Sequence, residues 1–154
     1  MGSAPGAVRV ASSKFKVARA PRDIDAAFAR LLGREEADRF WRTFRDRYVA
    51  RDDIRFIKSV GFNTVRIPLH YALFMNDDGT LRGEGWTLLD RAVGWIREAG
   101  LYAIFDLHAA PGGQTGNNHD DGPGLPVMFY VPRPRDLTVK LWQEIARRYA
   151  GESA

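Results

Sequence analysis

Two apolar runs, Phe62-Asn63-Thr64-Val65-Arg66-Ile67 and Leu101-Tyr102-Ala103-Ile104-Phe105, flank a helical pattern, and this arrangement restricts the chain more than any other feature. The first run is short and β-branched, with Pro68 just after it, where a ladder donor is no longer needed. The second is nearly continuous, as expected of a strand buried on both faces of a parallel sheet. Between them, from Trp86 to Ala99, the residues Leu88, Leu89, Ala92, Val93 and Ile96 form a wide helical stripe closed by Gly100. Two such strands joined by a helix pair in parallel through a right-handed crossover, so the sequence predicts a βαβ unit and an α/β fold, with strands near 62–67 and 101–107. Both strands end in charge, Arg66 on one and Asp106-Leu107-His108 on the other. Charges at the ends of buried strands are costly unless something uses them, so function is sought there.

Upstream, helical spacing recurs. Asp23 precedes Ile24, Ala27, Phe28, Leu31 and Leu32, and Gly33 is placed to end that helix in a left-handed conformation. From Arg34 to Tyr48 the residues Ala37, Phe40, Trp41, Phe44 and Tyr48 fall on one stripe. A third helix, from about Asp52 to Val60, turns Ile54, Phe56, Ile57 and Val60 toward a core and ends at Gly61. Residues 1–20 show no period and are expected to be poorly ordered; 21–150 form one domain and 151–154 a tail. With 154 residues, 45% of them hydrophobic, the chain is long enough for one ordinary core.

Downstream of each strand lies a loop. Leu69 to Gly85 carries the turn signal Asn76-Asp77-Asp78-Gly79. Residues 109–135 form a long loop rich in glycine and proline; because it follows the second strand, it belongs to the carboxyl-end face of the sheet, where α/β folds bind ligands. Asp136 is then expected to cap a last helix with Leu141, Trp142, Ile145 and Tyr149 on its buried stripe.

Composition narrows the functions. There is no cysteine, which removes disulfides, thiolate metal sites and cysteine nucleophiles. The net charge of +4 comes from the first third, where residues 1–58 hold 14 basic against 8 acidic side chains. Those arginines stand near acids on helix faces, as in Asp38 and Arg42 or Arg55 and Asp52, which reads as a solvated face and not as a nucleic-acid patch. Met1 to Val10 lacks the apolar run of a signal peptide, and no stretch approaches the ~18 apolar residues of a membrane helix, so a soluble protein without a membrane partner is expected.

Each charged motif has a functional and a plainer reading. The Arg66 guanidinium either holds a carboxylate in the mouth of the fold or makes an ordinary strand-end ion pair. Asp106 and His108, two apart on a strand, share a face, yet a zinc site needs three or four ligands, and His70 and His119 lack convincing spacing. Gly112-Gly113-Gln114-Thr115-Gly116 lacks the Gly-Lys-Ser/Thr ending of a phosphate loop. The Asn117-Asn118-His119-Asp120-Asp121 cluster offers oxygen ligands for calcium but matches no EF-hand, and reads as a solvated, turn-rich loop.

Taken together, Gly61-Phe62-Asn63-Thr64-Val65-Arg66-Ile67-Pro68 and Gly100-Leu101-Tyr102-Ala103-Ile104-Phe105-Asp106-Leu107-His108-Ala109-Ala110-Pro111-Gly112-Gly113-Gln114 resemble the second and third βα units of glycoside hydrolase family 5, the cellulase and exo-1,3-β-glucanase-like barrels. The preceding segment, with Phe40-Trp41, Tyr48 and Asp53-Ile54, is similar to the glucanase-like branch. The resemblance implies part of a (β/α)8 TIM barrel and retaining hydrolysis of β-linked glucans or glycosides by two glutamates, with no cofactor and no metal. It gives Arg66 the part of the arginine that orients the nucleophile, His108 that of the histidine contacting the sugar, and the Gln114 to Asp121 loop, with Asn117, a place beside the glycone subsites. His70 and Tyr71 stand where a loop reaches the sugar, and Asp106 accompanies His108.

The family's acid is the glutamate of an Asn-Glu-Pro after strand 4 and its nucleophile follows strand 7; neither segment occurs here. The glutamates present, Glu35, Glu36, Glu84, Glu98, Glu144 and Glu152, fall on helices, a turn or the tail. The expectation is therefore a partial retaining β-glycosidase with no catalytic residues of its own, inactive alone, whose partner is a β-linked oligo- or polysaccharide. The alternative is a non-catalytic carbohydrate-binding or strand-complementing module. The open edges of a two-stranded sheet invite self-association.

Overall fold

The computed structural model describes residues 20–152. The expected N-terminal segment at 1–20 therefore lies, except for Ala20, outside the described residues, as do the last two residues of the tail. Three helices come first: α1 (Pro21–Leu32), α2 (Arg34–Tyr48) and α3 (Arg51–Ser59). Then follow β1 (Thr64–His70), α4 (Gly83–Glu98), β2 (Tyr102–Ala109), the single turn α5 (Val127–Tyr130) and α6 (Pro132–Tyr149), with short 3-10 turns at Tyr71–Leu73 and Asn118–Asp120.

β1 and β2 pair in parallel with α4 as the crossover, as predicted. Thr64 faces Tyr102, Arg66 faces Ile104 and Pro68 faces Asp106, until an irregularity between Leu69 and His70 sets His70 opposite Ala109. Both strands run further toward their carboxyl ends than expected. β1 includes Pro68, because a residue on the outer edge of a two-stranded sheet has no ladder bond to lose.

One face of this ribbon is packed and the other is open. Leu69 and Leu107 join Trp86, Leu89 and Val93 of α4 and Leu141 and Ile145 of α6 in the main core, with Ile67 and Phe105 against it. A second cluster sets Ile54 of α3 against Ile96 and Leu101. Residues spaced three, four and seven apart carry these helix faces inward, which is why the 3.6-residue period was visible in the sequence. The expectation that β2 is buried on both faces does not hold: Tyr102 and Ile104 are half exposed, because no described element covers their side of the sheet.

Local chemistry explains most helix ends. Asp53 accepts from the Ala50 amide at 2.7 Å and Asp23 from the Ala20 amide at 3.3 Å, each satisfying a donor that the first turn leaves free. Gly100 ends α4 at φ 64°. Gly33, at φ 83° and ψ 155°, is not the left-handed cap expected; it passes the chain directly into α2. α6 starts at Pro132 and not at Asp136, since prolines in a first turn need no donor.

The predicted stripes of α1, α2, α3 and α6 are only partly buried. Ala37, Ile54, Leu141 and Ile145 are inside, whereas Leu31, Phe40, Phe44, Tyr48, Phe56, Val60 and Trp142 reach solvent. The rings of α2 instead pack along the α1–α2 hairpin, Phe28 lying 4.7 Å from Phe40 and 5.1 Å from Trp41. Asp38 pairs with Arg34 at 2.9 Å, not with Arg42, while Arg55 meets Asp52 as the pattern suggested. No helix among the described residues is long and apolar enough to cross a membrane.

Candidate functional site

Strand alternation places Arg66, Pro68, Asp106 and His108 on the open face, toward the carboxyl ends of both strands. Asp106 is their centre. Its Oδ2 is ion-paired with Arg66 and lies 3.0 Å from His108 Nδ1. Arg66 Nη2 also lies 3.4 Å from that nitrogen, but a single Nδ1 cannot accept from the arginine while donating to the carboxylate. The shorter contact decides: Nδ1–H donates to Asp106, which leaves Nε2 turned away from the carboxylate and open to a ligand. A carboxylate thus orients a guanidinium and an imidazole on a face where both remain accessible, with side-chain exposures of 58% and 42%.

A second cluster forms at the end of β1. His70 Nδ1 accepts from the Ala72 amide at 3.2 Å, so Nε2 carries the proton and donates to Asp121 Oδ2 at 3.2 Å. Burial holds this imidazole's pKa below its ordinary value, against the opposing pull of Asp121. Asp121 also accepts from the Arg22 amide at 3.1 Å, while the Arg22 guanidinium donates to the carbonyls of Asp121 and Gly122 at 2.8 and 2.6 Å. Asp121 is the one non-glycine with positive φ, 55°, among the described residues. The Tyr71 ring stacks on His70, and its hydroxyl donates to Asp77 at 3.1 Å; burial, then Asp77, pushes the phenol up to about 12.

The loop after β2 is held from inside by Asp120 and Gln114, in backbone-binding roles that the sequence did not announce. Asp120 is 2% exposed and accepts from the Gln114 and Thr115 amides, the Thr115 hydroxyl and the Gly122 amide. Burial pushes its carboxyl up, yet these donors more than offset that and hold it below the usual carboxylate range. Gly113 packs so closely that a Cβ there would lie 2.6 Å from Gly122 Cα. The Gln114 side chain accepts from Ala110 at 3.0 Å and donates to the Leu107 carbonyl at 2.8 Å, so both ends of its amide clamp the loop to β2. Asn117 is exposed on the outer turn, its amide donating to Thr115. His119 brings its ring within 5.6 Å of His108.

Of the residues expected at a site, Arg66, Asp106 and His108 therefore come together, His70 and Tyr71 form a neighbouring pair, Gln114 is committed to the backbone and Asn117 stands apart. The roles of Asp120 and Asp121 were missed because a hydrogen-bonding hub inside a loop has no periodicity. The left-handed turn at Asp121 was signalled only by the Asp-Asp-Gly string. No three histidine, aspartate or glutamate side chains among the described residues are grouped to hold a metal ion.

Known proteins match most of the chain. The family model for cellulase (glycosyl hydrolase family 5) matches residues 32–154. A beta-xylosidase of Phanerodontia chrysosporium is 34% identical over 82% of this chain and 27% of its own length. A probable glucan endo-1,6-beta-glucosidase B of Aspergillus flavus is 36% identical over 71% of this chain and 31% of its own. Cellodextrinase A of Ruminococcus flavefaciens is 32% identical over 70% and 31%. The chain spans less than a third of the length of these curated relatives.

Proposed function

The chain belongs to glycosyl hydrolase family 5, and on that premise we propose that it is the part of a retaining β-glycosidase that binds sugar and orients the catalytic acids without supplying them. The family fold is a (β/α)8 barrel; the described residues form two of its parallel strands with their flanking helices. The substrate class is a β-linked glucan or glycoside, in keeping with relatives named for glucan and cellodextrin.

One observation carries this reading: Asp106 locks Arg66 and His108 side by side at the strand ends. A fixed guanidinium there charges and aligns a carboxylate nucleophile, and the free Nε2 of His108 accepts from a sugar hydroxyl. Retaining hydrolysis requires two carboxyl groups ~5 Å apart, one protonated and one ionised. Glu35, Glu36, Glu84, Glu98 and Glu144 lie on α2, α4 and α6, and Glu152 follows α6. Asp106, the carboxylate at the strand ends, is already occupied by its two partners. Turnover by these 154 residues alone is therefore at background.

The test is direct. Purified chain is assayed on laminarin, cello-oligosaccharides and an aryl β-glucoside, and then titrated with the same oligosaccharides. Saturable binding without turnover, lost in Arg66→Ala and His108→Ala, is expected. Turnover that copurifies with the chain and vanishes in Arg66→Ala overturns the non-catalytic part.

The unpaired edges of the two-stranded sheet and the half-exposed Tyr102 and Ile104 favour a second reading, a strand-complementing module that associates through this face. Light scattering separates the two: a monomer at every concentration removes the second.

A further inference from the structure

Chain closure brings together two imidazoles that the sequence keeps apart. His108 lies on β2 and His119 on the 3-10 turn Asn118–Asp120, yet their ring centres are 5.6 Å apart, with the planes tilted by 43°. Two imidazoles that share one zinc ion through bonds of ~2.0–2.1 Å set their ring centres roughly 5–6 Å apart. We propose that His108 and His119 form a two-histidine site for a divalent transition-metal ion such as zinc, with its other coordination positions open to solvent.

The surroundings prepare the pair. Asp106 Oδ2 lies 3.0 Å from His108 Nδ1, and a carboxylate on the far nitrogen is the usual partner of a metal-binding histidine: it fixes the tautomer and makes Nε2 more basic. The Arg66 guanidinium beside that nitrogen is ion-paired with the same carboxylate, which offsets its charge before a cation arrives. His119 is exposed, and no hydrogen bond or ion pair among the described residues occupies its ring nitrogens. Its backbone is nonetheless held. Asp120 is tied to Gln114, Thr115 and Gly122, and Asp121 to Arg22 and His70.

The ligands select the ion. The sequence has three histidines and no cysteine, and His70 has no nitrogen to spare, with Nδ1 on the Ala72 amide and Nε2 on Asp121. Imidazole nitrogen suits zinc, copper and nickel, whereas magnesium and calcium take oxygen ligands. Asp106 acts through His108 and not as a third ligand, in agreement with the lack of any three-residue metal group among the described residues. The site stands on this geometry alone. Only its consequence rests on the sugar reading: zinc and oligosaccharide then compete for one atom, Nε2 of His108.

The experiment is a calorimetric titration of the 154-residue chain with zinc chloride at neutral pH, with magnesium chloride as the control, repeated while the imidazole proton resonances are followed. One zinc per chain is expected, with shifts at His108 and His119, His70 unmoved and magnesium silent. His119→Gln removes an exposed, unpartnered ring and so leaves the thermal melt unchanged, while zinc affinity falls by about ten-fold or more. Asp106→Asn keeps both ligands but alters the group behind His108, and weakens zinc by about ten-fold as well. Full zinc affinity in His119→Gln, shifts at His70 in place of the pair, or no zinc binding at all overturns the site. Zinc that binds as expected but leaves laminaribiose affinity untouched upholds the site and removes His108 from the sugar reading.

Discussion

The two faces of the β1–β2 ribbon come from the same fifteen residues, seven in β1 and eight in β2, read alternately, and they have opposite chemistry. Val65, Ile67, Leu69, Phe105 and Leu107 turn toward α3, α4 and α6, Leu69 and Leu107 buried and the other three partly buried. Arg66, Pro68, Tyr102 and Ile104 turn the other way and are exposed, while Asp106 and His108 on the same side are partly buried, with His119 close to the His108 ring. The first face therefore carries stability and, on the proposed function, the second carries sugar binding, so substitutions on the two sides should separate cleanly into losses of folding and losses of binding.

The sharpest way to break this contrast is Leu141→Ala. Leu141 is fully buried against the packed face, and truncation costs its transfer energy plus a cavity, about 2–5 kcal/mol, read as a lower midpoint in urea. A value below 1 kcal/mol would mean that the packed face is not the seat of stability. Next comes Asp120→Asn, which turns an amide NH₂ toward the donors of Gln114, Thr115 and Gly122. A loss of roughly 2–3 kcal/mol is expected, with faster hydrogen exchange confined to the loop after β2.

A pH series tests the rim where the faces meet. His70 has a folded pKa below its ordinary 6.5, so the unfolded chain binds the extra proton first. Its contribution is intact above pH 6.5 and is lost as pH falls through the folded value, at no more than about 1.4 kcal/mol per pH unit. Thermal melts from pH 8 to 5 should decline in that direction, and His70→Gln should flatten the decline. The smallest effect on stability belongs to the open face. Arg66→Ala removes an ion pair whose arginine is more than half exposed, so the melt moves by less than ~1 kcal/mol while oligosaccharide binding is lost. A large destabilisation there would erase the distinction between the two faces.

How much of this was legible follows from the same physics. The βαβ unit was readable because two apolar runs and a 3.6-residue stripe each carry a period, and the pairing of Asp106 with His108 because residues two apart on a strand share a side. The exposure of Tyr102 and Ile104 was not readable, since hydrophobicity reports a preference for burial and not whether a partner is present. Pro132 and Pro134 looked like loop residues but occupy the first turn of α6, where their missing donors cost nothing. The loop was seen as polar and turn-rich, which it is at Asn117. Its buried carboxylate at Asp120 and the amide clamp of Gln114 depend on three-dimensional closure that no spacing announces.

The clasp of Arg22 on Asp121 and Gly122 joins positions 99 and 100 residues apart along the chain. Such a bond forms only after everything between has found its place, because the entropy of closing so long a span must be met first. The α1–α2 hairpin is thus fastened at that corner only once β2 and the loop after it are in place.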